Sequence, residues 1–135
     1  MNKGEKNQMI KGIEHVAIYA KDTKGLADWY VKLFGASIVY DNGKGTYFVA
    51  FPDKSMIEIC KNDTVDNVPT DMNTPGIRHF ALTTDEFDAD VAKIKAEGVE
   101  ILAEPIVSPK GIGTMFFRDI EGNIFHLISR PEPLV

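Results

Sequence analysis

Three histidines and one glutamate carry the chemistry this sequence could do. His15, in GIEHVAIYAKD, and His79, in GIRHFALTTDE, take the same slot in two near copies of one apolar stretch, 64 positions apart. Glu58, between Ile57 and Ile59, and His126, between Phe125 and Leu127, fill a second pair of matching slots at an offset of 68. A carboxylate left alone in an apolar strand costs several kcal/mol in effective terms unless it is paired, hydrated or bound to a cation. Three imidazoles and a carboxylate converging on one centre make a ligand shell for one divalent ion: zinc, nickel, cobalt, manganese or iron.

The elements that must position them are also written twice. IEHVAIYA reads as a strand, and Asp22-Thr23 caps a helix over TKGLADWYVKLFG. That helix places Leu26, Trp29, Tyr30, Leu33 and Phe34 on one face and stops at Gly35. SIVYD, TYFVAF and MIEIC follow as strands between turn-formers. The second copy runs IRHFALTT, a helix over EFDADVAKIKAEG with Phe87, Val91 and Ile94 inward and Gly98 at its end, then VEILAE, TMFFRD and NIFHLIS. Gly43-Lys44-Gly45-Thr46 matches Gly111-Ile112-Gly113-Thr114, and Phe48 matches Phe116, at the later offset of 68. The change of offset predicts an insertion near Ile106 to Lys110, where Pro105 and Pro109 interrupt the pattern. GKGT precedes a strand and lacks the longer phosphate-loop spacing, so it reads as a turn.

Alternation puts Val16, Ile18, Ile57, Ile59, Phe80, Leu82, Phe125 and Leu127 on the face that meets the helices. The four polar groups then share the other face. The predicted organisation is a flexible tail over 1–11, a single domain over 12–130, and a C-terminal tail over 131–135. Within the domain, module one is 12–63, a Pro/Asp/Asn-rich linker is 64–75, and module two is 76–130.

The 135 residues suit one domain with a real core. A formal net charge of −5 and the lack of any Lys/Arg run argue against nucleic acid as a partner. No apolar run reaches the roughly 18 residues of a membrane span. The N-terminal MNKGEKNQ has no apolar stretch of a signal peptide. A single cysteine, Cys60, suits a reducing, cytoplasmic setting and reads as a small buried strand residue.

Residues 12–130 resemble the vicinal oxygen chelate superfamily of glyoxalase I, methylmalonyl-CoA epimerase, extradiol dioxygenases and fosfomycin- and bleomycin-resistance proteins, closest in pattern to glyoxalase I-like proteins. The likeness rests on GIEHVAIYAKD, WYVKLFGA, SMIEIC, GIRHFAL and FRDIEGNIFHLI. It implies an α+β fold of two βαβββ modules forming an open, U-shaped, eight-stranded mixed sheet with helices outside. It further implies metal ligands on the first and fourth strands of each module, here His15, Glu58, His79 and His126. The family's closing strand carries glutamate where this chain has His126. A metal-tied histidine is no general base, so either Glu58 takes the catalytic base role or the reaction differs.

The function expected is a metal-dependent glyoxalase I-like lyase or isomerase, chelating adjacent oxygens of a small 2-oxo or thiol-adduct substrate and shifting a proton through an enediolate. The alternatives are a metal-free sequestering protein of the bleomycin-resistance type and an Fe(II) extradiol-type dioxygenase, so enzyme activity stays an open expectation. A homodimer is expected, since open sheets leave edges to cover. Phe48, Phe116, Met56 and Met115 either line the cavity or pack in the core. Arg78, Arg118 and Arg130 either neutralise a substrate carboxylate or phosphate or are solvated at the surface, with solvation the favoured reading, and Arg78, next to His79, should point to the opposite face.

Overall fold

A computed structural model describes residues 9–66 and 71–135. Most of the expected N-terminal tail (1–8) and part of the linker (67–70) lie outside the described residues. The chain divides into two compact units, Met1–Asn62 and Asp63–Val135. Each is a βαβββ module with a four-stranded mixed sheet, so the fold is α+β. Among the described residues no helix is long and apolar enough to cross a membrane.

The first unit comprises β1 (His15–Ala20), α1 (Thr23–Phe34), β2 (Ser37–Asp41), β3 (Tyr47–Ala50) and β4 (Met56–Lys61). Helix α1 starts because the Asp22 carboxylate accepts the Gly25 N–H at 2.9 Å. It stops because Gly35 takes the left-handed conformation at φ 70° and its N–H turns back to the Tyr30 carbonyl. Between these caps Leu26, Ala27, Trp29, Tyr30 and Leu33 are buried, against Val49, Ile57 and Ile59 of the sheet. A fully buried large apolar side chain contributes about 1.5–3 kcal/mol, so this contact face fixes the sheet that carries the site.

The strands run in the order β1-β4-β3-β2, with β1 parallel to β4 and the other neighbours antiparallel. The β2–β3 turn closes on the Asn42 side chain, whose oxygen accepts the N–H groups of Lys44 and Thr46. GKGT is therefore a turn, as its sequence context suggests.

The second unit repeats the plan with β5 (Phe80–Thr83), α2 (Phe87–Ala96), β6 (Ile101–Val107), β7 (Gly113–Arg118) and β8 (Ile124–Ser129), in the order β5-β8-β7-β6. Its helix is seated less deeply. Ile94 is buried, whereas Phe87 and Val91 are half-buried. The Phe87 ring lies so close to Gly113 that a Cβ there would meet it at 3.0 Å, which is why that strand starts on a glycine.

The extra length in this copy sits partly in β6, seven residues against five in β2, and its pairing with β7 slips twice between Ile101 and Ile106. The β7–β8 turn is built on Asp119. This buried carboxylate accepts the N–H groups of Glu121 and Asn123 and the Asn123 side-chain amide. That turn fixes the register of β8.

Candidate metal centre

Strand register brings each pair of expected ligands onto one face of its own sheet. Glu58 lies opposite Ala17 of β1 and Phe48 of β3. His126 lies opposite Ala81 of β5 and Phe116 of β7. His15 and His79 stand two residues before Ala17 and Ala81, on the same side as their strand-four partners. The alanine is what keeps this face open, because a methyl group leaves room between histidine and partner. His15 is the first residue of its strand and His79 immediately precedes its own. Both therefore sit at the mouth of the parallel pair rather than within it.

In the first unit, His15 Nε2 is 3.4 Å from Glu58 Oε1, and His15 Nδ1 is 2.9 Å from Glu14 Oε1. A carboxylate accepts, so a proton on Nδ1 is donated to Glu14, while Nε2 faces the Glu58 carboxylate. Two electron-rich groups that close are stabilised by a proton or a cation between them. Phe48 packs edge-on against the His15 ring, with centroids 5.1 Å apart.

In the second unit, the rings of His79 and His126 meet edge to face at 5.0 Å. Phe116 stacks flat on His126 at 4.1 Å and touches His79 at 5.3 Å. Nε2 of His126 is buried without a hydrogen-bond partner among the described residues. Such an orphan costs about 1–3 kcal/mol, and a metal ion would satisfy it. Burial pushes the His126 pKa down, helped by the charges of His79, Arg78 and Arg130. Burial, then Arg78, pushes His79 down as well. Both imidazoles are thus neutral at pH 7; His126 Nε2 is left without a partner among the described residues, whereas His79 Nδ1 faces the Arg78 donor.

This pair makes the second unit acid-sensitive. Below the ordinary histidine value of 6.5 the unfolded chain binds protons that folded His79 and His126 resist. Stability is therefore present in full above pH 6.5 and falls as pH drops through the depressed folded values. Thermal melts of metal-free protein should show Tm falling below pH 6.5, with a shallower fall in a His79→Gln, His126→Gln double variant. Equal slopes would refute the assignment.

Several neighbours depart from the sequence reading. Arg78 does not point away. Its Nη1 lies 3.5 Å from His79 Nδ1, its guanidinium carbon sits 5.5 Å from the Phe116 ring centroid, and its Nε donates to the Met72 carbonyl at 3.1 Å. The alternation rule fails there because residue 78 precedes the strand. Phe48 and Phe116 line the site face, whereas Met115 is buried in the core. Cys60 is half-buried two residues after Glu58 on the same face, and burial, with the Glu58 charge, pushes its thiol pKa up. Arg118 is not free in solvent, since it donates to the Gly122 carbonyl and lies 3.5 Å from Glu100.

Among the described residues no group of three or more His, Cys, Asp or Glu is placed to hold a metal ion.

A family model described as Glyoxalase/Bleomycin resistance protein/Dioxygenase superfamily matches residues 12–127. The fosfomycin resistance protein FosX of Listeria monocytogenes is 26% identical over 125 residues, covering 88% of this chain and 90% of FosX. A crystal structure of FosX shares the fold with a TM-score of 0.72 at 23% identity, covering 93% of this chain and 94% of that one. A FosX variant complexed with Mn(II) and 1S,2S-dihydroxypropylphosphonic acid gives a TM-score of 0.71 at 23% identity, with the same coverage. Lactoylglutathione lyase from Agrobacterium tumefaciens gives 0.66 at 21% identity, covering 90% of this chain and 96% of that one.

Proposed function

The chain belongs to the glyoxalase/bleomycin resistance protein/dioxygenase superfamily, and from that membership we propose that it is a metal-dependent enzyme acting on a small substrate with adjacent oxygens. His15, Glu58, His79 and His126 are the residues that would hold one divalent ion. Mn(II) is the first to load, being the ion in the FosX complex. The observation that carries this reading is the buried, partnerless Nε2 of His126 in the slot that register makes equivalent to Glu58.

Such an ion would supply Lewis-acid chemistry to a substrate with adjacent oxygens. Glu58 is the residue that moves the proton. It is the carboxylate of the four, and it is partly open to solvent. His126, held neutral by burial, serves as a donor atom and not as the base. Phe48 and Phe116 keep water from the rings they cover. Glu14 holds the His15 tautomer. Glu14→Ala should weaken Mn(II) affinity about tenfold, the usual effect of losing such an orienting carboxylate, read by calorimetry.

The reaction proposed is a lyase or isomerase proton shift next to a carbonyl, of the glyoxalase I kind. The likeness to FosX favours a second reading, in which the same carboxylate activates water to open an epoxide on a small phosphonate. Assaying Mn(II)-loaded protein with the methylglyoxal–thiol adduct and with fosfomycin separates the two. Turnover of neither, by protein that binds fosfomycin without metal, would instead support a sequestering protein.

A homodimer is proposed. β2 and β6 are edge strands that expose Val39, Tyr40, Ile106 and Val107, the kind of apolar edge a second copy covers. Light scattering should report twice 15.0 kDa. Mixing His15→Ala with His126→Ala protein would restore a metal site only if ligands come from two chains.

A further inference from the structure

The repeat places two charged residues of opposite sign in one slot. Glu14 and Arg78 stand 64 positions apart, each directly before its strand-one histidine. Both side chains reach Nδ1 of that histidine, Glu14 at 2.9 Å and Arg78 at 3.5 Å. The carboxylate is the natural partner for a histidine that ligates a cation, because it takes the ring's other proton and raises its basicity. A guanidinium can only donate. It offers nothing to a cation, and it repels one.

Its placement is nevertheless fixed. The Nε donates to the Met72 carbonyl at 3.1 Å, and the guanidinium lies over Phe116, whose ring stacks on His126. Arg78 makes no ion pair with any carboxylate among the described residues. Arg78 is exposed, so water meets its spare donors in the free protein, and an anion is the guest whose charge would displace that water.

We propose that Arg78 binds the negatively charged end of the substrate, so that this site takes small oxyanions carrying a phosphonate or carboxylate in preference to neutral molecules. The proposal deepens the enzyme reading above and rests on it for where reaction occurs, but the anion contact itself needs only the second unit. Guanidinium is suited to this task because its fork of N–H donors meets two oxyanion oxygens at once. Phosphonate and carboxylate share that geometry, and the experiment tells them apart.

The test uses metal-free full-length protein and the imidazole nitrogen NMR signals of its three histidines. Methylphosphonate, acetate and neutral acetamide are titrated separately. In the unsubstituted protein methylphosphonate or acetate should move the His79 and His126 signals saturably, the tighter of the two naming the preferred group, and acetamide should not. Arg78→Gln should weaken that anion roughly ten- to hundredfold, as loss of a charged hydrogen bond does. Arg78→Lys should recover part of the loss.

Mn(II) binding, followed by EPR in the same proteins, is the separate readout. If the unsubstituted protein takes no Mn(II) yet the anion still shifts both histidines in an Arg78-dependent way, the metal reading fails and this inference stands. If Arg78→Gln binds the anion as tightly as the unsubstituted protein, or if no anion moves either histidine, the inference is overturned.

Discussion

His126→Ala is expected to reduce Mn(II) affinity by more than about a hundredfold, beyond the ten- to hundredfold typical of residues that merely orient a ligand. The loss should come without unfolding. Alanine forfeits the stack on Phe116, worth about 0.5–1.5 kcal/mol. It also removes a buried nitrogen that has no partner among the described residues and costs about 1–3 kcal/mol. The two effects nearly cancel, so the Tm of metal-free protein should stay within a few degrees. Calorimetry on protein stripped with chelator gives the affinity, and a melt run beside it gives the control. Unchanged affinity would remove the main support for a metal centre.

Glu58→Gln should lower kcat by about a hundred- to ten-thousandfold, the range over which a positioned base acts. The side chain keeps its size and an acceptor oxygen, so its place between Ala17 and Phe48 survives. What it loses is the ability to take a proton. Ion affinity will fall as well, because a neutral amide is a poorer ligand than a carboxylate. Measuring kcat at saturating Mn(II) separates the two roles. Recovery of full turnover at high metal would make Glu58 a ligand and not the base.

The duplicated βαβββ plan could be read from the chain because each cue is local. Asp22 and Gly35 bracket α1, the apolar spacing of Leu26, Trp29, Tyr30 and Leu33 gives its face, and the offset of 68 aligns Glu58 with His126. Register then makes those two residues equivalent, each flanked by an alanine and a phenylalanine.

Arg78 could not be read in the same way. Alternation holds only inside a ladder, and the ladder of β5 starts at Phe80. The side chain is placed instead by the Met72 carbonyl and the Phe116 ring, one six residues back and the other thirty-eight ahead. The aromatic lining had a usable signal, since Phe48 and Phe116 share the repeat offset. Cys60 had one too, because it follows Glu58 by two residues and so must share its face. Its type suggested burial, and the strand period decided otherwise.

The strand order 1-4-3-2 has a kinetic corollary. β2, β3 and β4 join through short turns and can assemble early, under α1. β1 must wait for β4, because within the first unit its sheet neighbour among the described residues is that strand, reached through a parallel contact between residues as distant as His15 and Met56. Such distant pairings close late in refolding. Substitutions in β1 should thus hasten unfolding and leave the refolding rate nearly untouched. The amide protons of its outer edge should be the earliest in the first sheet to exchange with deuterium. The segment that bears His15 is then the one released at least cost, and a bound ligand would slow its departure.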